Sequence, residues 1–444
     1  MFKLLIVIVF MFIFFKMNTN RKEGWKNPSS LLIGIYLLAS IFSVPNLLIN
    51  GDSSNAKLTM VYQEKYWFGV FAFIILIFLF LYPFYRFKEN NVKEIAIPSD
   101  QVLEVFSCTV IVLSFFAIIY SIPTVVSLFR SGVALRVLRN NFGNVRESYV
   151  STSGISNTIA SVASSMYPFA IMLFYIYYIK GKHPIKCLLL FISSSSNIFH
   201  VLTFVGRDGV VFWMLSFLSM HFFFRDYLNI YQRKTVRRVF IVAAIVALLP
   251  FIAISISRFS SYSAENGTIK SILSYLGQMI PNYLLYFDIR MDHYNYGVSF
   301  PLFWEITGQQ QPTSVRWMDG GTESNVFGTF LKSFNINFGV LGTLIVALIA
   351  GFLFLRVFNK RKETFYFHQY FLYILYFKIL SEGVFYFRDY TRGGNLFILI
   401  CFLLFVVFSV IERYFGTYTL QKNEAAIDYD KRKRIRFVFG HRRQ

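Results

Sequence analysis

Long runs of apolar residues recur along this 444-residue chain, and short polar segments separate them. Because an α-helix needs roughly 20 apolar residues to cross a bilayer, the pattern predicts an all-α polytopic membrane protein with about eleven transmembrane helices. The first run lacks a small-residue cleavage site, so we interpret it as a span and not as a signal peptide. The expected spans are Phe2–Phe15, Leu31–Ile49, Trp67–Tyr85, Leu103–Leu128, Thr158–Ile179, Cys187–Val205, Gly209–Phe224, Val239–Ile256, Val340–Phe358, Phe365–Phe387 and Leu396–Phe415.

Composition agrees with this class, since hydrophobic residues make up 55% of the chain and charged residues only 15%. A formal net charge of +21 at pH 7 would suit nucleic acid. The basic residues are concentrated in short segments between apolar runs, however, as membrane topology requires. We therefore expect membrane lipids, and no nucleic acid, as partners. The three cysteines lie far apart within apolar runs and predict neither a disulfide framework nor a metal motif.

The distribution of Lys and Arg predicts the sidedness of the chain. The segments 21–26, 86–93, 180–186, 225–238, 356–362 and the tail after Arg413 are strongly basic, and all of them fall on one side if the spans alternate. The positive-inside rule makes that side cytoplasmic. We treat 1–444 as a single polytopic membrane domain with an extracytoplasmic N-terminus and a basic cytoplasmic tail, 416–444. The Asp428-Tyr-Asp430 sequence resembles a metal-binding DxD motif, but in this basic tail we expect no metal site.

Arginines are abundant in the outer connections, where the positive-inside rule predicts few cations. The guanidinium fork binds phosphate or carboxylate bidentately and stays charged. The excess therefore indicates an anionic ligand at the outer face, with outer acids or lipid headgroups as the alternative partners. The outer arginines are Arg130, Arg136, Arg139, Arg146, Arg207, Arg258, Arg290, Arg316, Arg388 and Arg392.

The stretch 258–338 is too polar to be buried in a bilayer, and we expect it to form one large extracytoplasmic loop. Apolar residues at helical spacing predict an amphipathic helix over Ile269–Ile280 that stops at Pro281. A second short helix is expected over Ser299–Ile306. The most concentrated chemistry lies between these helices, at 288–293.

Two further positions outside this loop carry candidate chemistry. The sequence 206–209 predicts a tight outer turn, in which Arg207 and Asp208 either pair with each other or face a ligand, and His200 lies on the helix before it. Glu382 lies within an expected span, where an ionisable group needs a partner or a wet cavity. Arg388 and Arg392 are its candidate partners.

The end of the large loop carries a sequence that resembles a known family. Residues 322–339 contain Ser324-Asn325-Val326, an aromatic residue, Thr329-Phe330-Leu331, and then Phe338-Gly339 before a span. This pattern, together with the layout of spans and the single large outer loop, resembles Wzy-type oligosaccharide repeat-unit polymerases, the O-antigen and capsule polymerases.

The resemblance implies a GT-C-like fold and a metal-independent glycosyltransferase that needs no cofactor. Its substrate would be undecaprenyl-pyrophosphate-linked oligosaccharide, joined at the outer face of the bacterial plasma (inner) membrane. A chain-length regulator protein and a flippase are candidate partners.

The reaction needs cations for the departing pyrophosphate and a base for the accepting hydroxyl. We assign pyrophosphate binding to Arg207, Arg290, Arg316 and Arg388. The base is Asp292, His293 or Glu382, and Asn325 binds sugar or fixes the loop.

Two alternative functions remain, an O-antigen-ligase-type transferase and a polysaccharide transporter or flippase. The sequence shows no internal repeat and collects its charges at the outer face, which favours the enzyme.

Overall fold

The computed structural model describes residues 2–22, 24–50, 67–130, 154–181, 183–259, 273, 275–285, 299–309, 327–358 and 363–423. The helices, numbered in chain order, are α1 Phe2–Arg21, α2 Pro28–Asn50, α3 Trp67–Arg86, α4 Asp100–Arg130, α5 Gly154–Ser165, α6 Tyr167–Lys180, α7 Pro184–Ser193, α8 Ser196–Leu202, α9 Asp208–Phe224, α10 Ile230–Phe259, α11 Met279–Leu285, α12 Pro301–Thr307, α13 Thr329–Val357, α14 Phe367–Glu382 and α15 Arg392–Phe415. Three short strands complete the described part: β1 Glu94–Pro98, β2 Thr364–Tyr366 and β3 Thr417–Gln421.

The described residues form an all-α, multi-pass membrane protein. Eight helical stretches are long and apolar enough to cross a membrane, and the number rises to nine if α5 and α6, which meet at an angle of 43°, form one bent span. The expected count of about eleven spans also includes α9, with 17 residues, and α14, with 16 residues. These two helices are shorter than the others, so the structure confirms the class of protein but not the count.

Several of the spanning stretches are interrupted, each for a local reason. Between α5 and α6 the chain turns at Met166, and Pro168 lies in the first turn of α6, where its missing N–H costs nothing. Serines 194 and 195 separate α7 from α8. Helix α13 breaks at Gly339, whose φ of 68° lies in the left-handed region that glycine adopts without strain.

The large outer loop differs from expectation at its edges. Residues 329–338 form the part of α13 before its break at Gly339, and Phe330 and Leu331 are fully buried. They pack on α3, where the rings of Phe80 and Phe330 are 4.9 Å apart. The expected stop at Pro281 is wrong, because α11 begins at Met279 and contains this proline in its first turn. The short helix expected near 299–306 is confirmed as α12.

A three-stranded sheet joins three segments that are distant in sequence. Its order is β2-β1-β3, with β1 parallel to β2 and antiparallel to β3. No strand is expected here from the sequence. Strands of three to five residues leave too short a pattern to identify, and their partners lie hundreds of residues away.

The sheet gathers the basic segments at one end of the bundle. Lys22 forms a buried ion pair with Glu89, with 2.5 Å between Nζ and Oε2. The Asn423 backbone N–H donates to the Asp226 carbonyl at 2.9 Å, and the Gln232 side chain donates to the Tyr178 carbonyl at 2.8 Å. Segments that the charge pattern assigns to one side of the membrane therefore meet at a single end. We call it the inner end, because the positive-inside rule predicts that it faces the cytoplasm.

Helix α14 lies in the centre of the bundle, with buried residues on all its faces. Its aromatic side chains pack on neighbouring helices, for example Tyr376 stacked on Phe84 with ring centroids 5.7 Å apart. The helix starts beside the sheet at β2 and ends at Glu382. Sixteen residues at 1.5 Å each separate these ends by about 24 Å, so the carboxyl end of α14 is remote from the inner end.

The shared sheet predicts the result of a topology experiment. A fluorescent reporter fused after Gly181, Glu363 or Gln421 is expected to fluoresce in the cytosol in all three fusions, because these positions lie at the end of the bundle that contains the sheet. A phosphatase reporter fused after Gly308 is expected to be active only outside. Opposite locations for the Gly181 and Gln421 fusions would contradict the arrangement.

Candidate functional site

A network of charged side chains lies at the end of α14 that is remote from the sheet. Lys378 Nζ is 2.5 Å from Asp389 Oδ1 and 3.3 Å from Glu382 Oε2. All three side chains are buried, with 3%, 3% and 1% of their surface exposed. Charges buried to this degree are tolerated only when they are paired.

Arg388 extends this network towards α9. Its guanidinium forms an ion pair with Asp208, and its Nε is 3.7 Å from Glu382 Oε2. A second nitrogen donates to Asn197 Oδ1 at 3.4 Å, and the group lies over the Phe212 ring at 5.1 Å. Burial alone would lower the pKa of Arg388, but the carboxylates of Asp208 and Glu382 raise it above its ordinary value. The guanidinium therefore stays charged.

Together these five residues form the ion network: Asp208, Arg388, Glu382, Lys378 and Asp389, in an order in which negative and positive groups alternate. Three carboxylates and two cations leave the network with one negative charge. It connects the start of α9, the end of α14 and the turn before α15. The ion network therefore fixes the relative positions of segments that are about 180 residues apart in the chain.

Two tyrosine hydroxyls donate hydrogen bonds to carboxylates of the ion network. The Tyr167 hydroxyl donates to Glu382 Oε1 at 3.0 Å and lies 2.9 Å from the Ser216 hydroxyl. The Tyr386 hydroxyl donates to Asp208 Oδ2 at 3.0 Å. Because unsatisfied buried acceptors are costly, these tyrosines contribute to the stability of the network and not only to apolar packing.

Glycines allow the backbone to approach the ion network. A Cβ atom at Gly394 would lie 2.5 Å from the Asp389 Cα atom, so only glycine lets the first turn of α15 lie against Asp389. Thr391 caps this helix by accepting the Gly394 N–H at 3.2 Å. The short turn 388–390 therefore lies directly against the first turn of α15.

The structure places three of the predicted site residues at this end of the bundle. Glu382 and Arg388 belong to the ion network, and Arg388 is the partner that the sequence analysis suggested for Glu382. Arg207 lies beside the network. It donates to Ser255 Oγ at 2.7 Å and lies over the Tyr275 ring at 4.3 Å. Asp208, its neighbour in sequence, forms an ion pair with Arg388.

The other predicted site residues, Arg290, Asp292, His293, Arg316 and Asn325, lie outside the described residues. The structure does show where their flanking residues lie. Asn395 Nδ2 donates to both the Asp389 carbonyl, at 2.7 Å, and the Ser299 carbonyl, at 3.1 Å. The Phe327 ring lies 6.0 Å from the Tyr386 ring.

A further ion pair lies at the same end of the bundle. Glu305 of α12 forms an exposed ion pair with Arg392, at 3.0 Å. Residues that flank the segments 286–298 and 310–326 therefore contact the ion network or residues close to it in sequence.

His200 lines a separate narrow cleft between α4, α5 and α8, together with the polar side chains of Tyr120, Ser121, Thr124, Asn157 and Thr203.

Lys378 was not among the residues expected from the sequence, although it contacts two of the three carboxylates of the network. The sequence does contain a signal for it, since a lysine within an apolar run four residues before a glutamate places both charges on one helix face.

Within the described part of the chain, no cluster of three His, Cys, Asp or Glu side chains could hold a metal ion. Comparison with protein-family models, with curated proteins and with solved structures found no match to this chain.

The pair of Asp208 with Arg388 can be tested by a double-mutant cycle. Arg388→Met and Asp208→Asn are each expected to lower the free energy of unfolding by about 3 kcal/mol, because each leaves a buried partner charge uncompensated. The double variant is expected to lose less than the sum of the two single losses. Denaturant unfolding in detergent measures all three values. Strictly additive losses would show that the two side chains do not interact.

Proposed function

We propose that this chain is a membrane glycosyltransferase that polymerises undecaprenyl-pyrophosphate-linked oligosaccharide repeat units, as O-antigen and capsule polymerases do. It would act at the outer face of the bacterial plasma membrane, with a GT-C-like fold and about eleven spans. The observation that carries the proposal is the gathering of Arg207, Glu382 and Arg388 at the end of the bundle opposite the basic sheet. The resemblance of residues 322–339 to the Wzy-type family supports it independently.

The proposed reaction needs only groups that this chain can supply. The oxygen of an acceptor sugar hydroxyl attacks the anomeric carbon of the lipid-linked unit, and the bond from that carbon to the pyrophosphate oxygen breaks. The pyrophosphate leaves with the bonding electron pair, and the hydroxyl proton passes to a base. Arginines that stabilise the leaving group make a divalent metal unnecessary for this step.

The contacts of Glu382 bear on the choice of base. Its two oxygens already face Tyr167, Lys378 and Arg388, and its side chain is 1% exposed. A general base must come within hydrogen-bond reach of the acceptor hydroxyl. We therefore favour Asp292 or His293 as the base, and we assign Glu382 to holding Arg388. The loop arginines Arg290 and Arg316 would then contact the pyrophosphate directly.

A second candidate function is transport of the lipid-linked glycan. The interrupted helices α5–α6 and α13 favour it, because transporters often place substrate at helix breaks. The position of the charges favours the enzyme, since the ion network lies at one end of the bundle and not at its middle.

An O-antigen-ligase-type transferase would use the same donor and differ only in its acceptor. For each enzyme, a chain-length regulator protein and a flippase are proposed partners.

Polymerisation by purified protein in liposomes tests the proposal. Arg290→Ala and Arg316→Ala are each expected to lower the polymerisation rate about 100-fold, as expected when one electrostatic contact to the leaving group is removed. Gel analysis of the products measures the rate and the chain length. Arg237→Ala, which removes an exposed arginine at the inner end of α10, is the matched control and should retain the wild-type rate.

Three results would contradict the proposal in different ways. Wild-type rates in both loop variants would remove the assignment of these arginines. Transfer of the glycan to a different acceptor, without chain growth, would identify a ligase. Movement of the lipid-linked unit across the liposome membrane without any transfer would identify a transporter.

A further inference from the structure

We infer that Lys378 is a positioning residue for the proposed glycosyl transfer, acting through Asp389 and Arg388 without touching substrate. This inference rests on the proposed function. Lys378 belongs to α14, and 3% of its side chain is exposed, so no substrate group can reach its ammonium in this structure. Its effect on the reaction must pass through the two carboxylates that it contacts.

The first step concerns which carboxylates pair with Lys378 and which pair with Arg388. Lys378 neutralises Asp389 at 2.5 Å and shares Glu382 with Arg388, at 3.3 Å and 3.7 Å respectively. Without Lys378, Arg388 would be the sole cation of the network for three carboxylates. Like charges buried together repel, and the guanidinium would redistribute among them. Lys378 therefore determines which acids Arg388 faces.

The second step concerns the backbone of the turn before α15. Asp389 follows Arg388 directly, and its carboxylate is held by Lys378. Its carbonyl accepts a hydrogen bond from Asn395 at 2.7 Å. With both its side chain and its backbone fixed, Asp389 sets the position of the neighbouring Arg388.

The third step connects this turn to the large outer loop. The same Asn395 amide that bonds to Asp389 also donates to the Ser299 carbonyl at 3.1 Å. Ser299 is held a second time, by Asn337, which accepts its N–H at 2.9 Å. Ser299 follows the segment that carries Arg290, Asp292 and His293. A continuous set of contacts thus runs from Lys378 through Asp389 and Asn395 to the end of that segment.

The experiment compares Lys378→Met with the double variant Lys378→Met/Asp389→Asn. The single variant leaves Asp389 without its cation and Glu382 with Arg388 alone, so it is expected to lower both the unfolding temperature and the polymerisation rate. The double variant removes one positive and one negative charge, so the network keeps its net charge of one negative unit. It is expected to recover most of the lost unfolding temperature, while its kcat stays at least tenfold below the wild type.

Lys22→Met is the matched control, because Lys22 is also a buried lysine with a carboxylate partner, at the opposite end of the bundle. It is expected to lower the unfolding temperature and to leave kcat per folded protein unchanged. Recovery of the wild-type kcat in the double variant would overturn the inference and make Lys378 purely structural. Failure of the wild type itself to form polymer would instead overturn the proposed function, and the positioning role with it.

Discussion

Buried charge is the constraint on which the end of this bundle remote from the sheet depends. Moving an ion out of water costs several kcal/mol even after relaxation, so each charged group in the interior needs a partner of opposite sign. Asp208, Arg388, Glu382, Lys378 and Asp389 meet this requirement together, in alternating order. Because they come from α9, α14 and the turn before α15, pairing their charges also determines how these segments meet.

The aromatic residues of the chain have two roles around this network. Most of them fill the core, as where Phe84, Tyr376 and Phe354 pack together between α3, α13 and α14. A few combine an apolar ring with a polar group that the network needs, as Tyr167 does for Glu382. Tyrosine suits such positions because its ring packs in the core while its hydroxyl donates to a carboxylate. The aromatic-rich composition thus supplies both packing and hydrogen bonds.

The sequence predicted the features that depend on local pattern. Each expected span coincides with a helix or a pair of helices, because apolar length is encoded in consecutive residues. The basic segments that the charge pattern assigned to one side meet at the sheet. The partners of the charges were not predictable in the same way. Arg388 was a candidate for Glu382, but its pairing with Asp208 depends on how α9 packs, and Lys378 was overlooked within an apolar run.

A network in which each charge faces a group of opposite sign is better suited to holding a site than to performing chemistry. Groups that must bind and release an anion or a proton need unoccupied donors or acceptors, whereas Glu382 and Arg388 already contact protein atoms on several sides. The residues that would change their contacts during a reaction belong to the loop segments whose flanks meet the network at Ser299 and Phe327. Under the proposed function, the ion network would hold the site, and the groups that bind and release the substrate would belong to those segments.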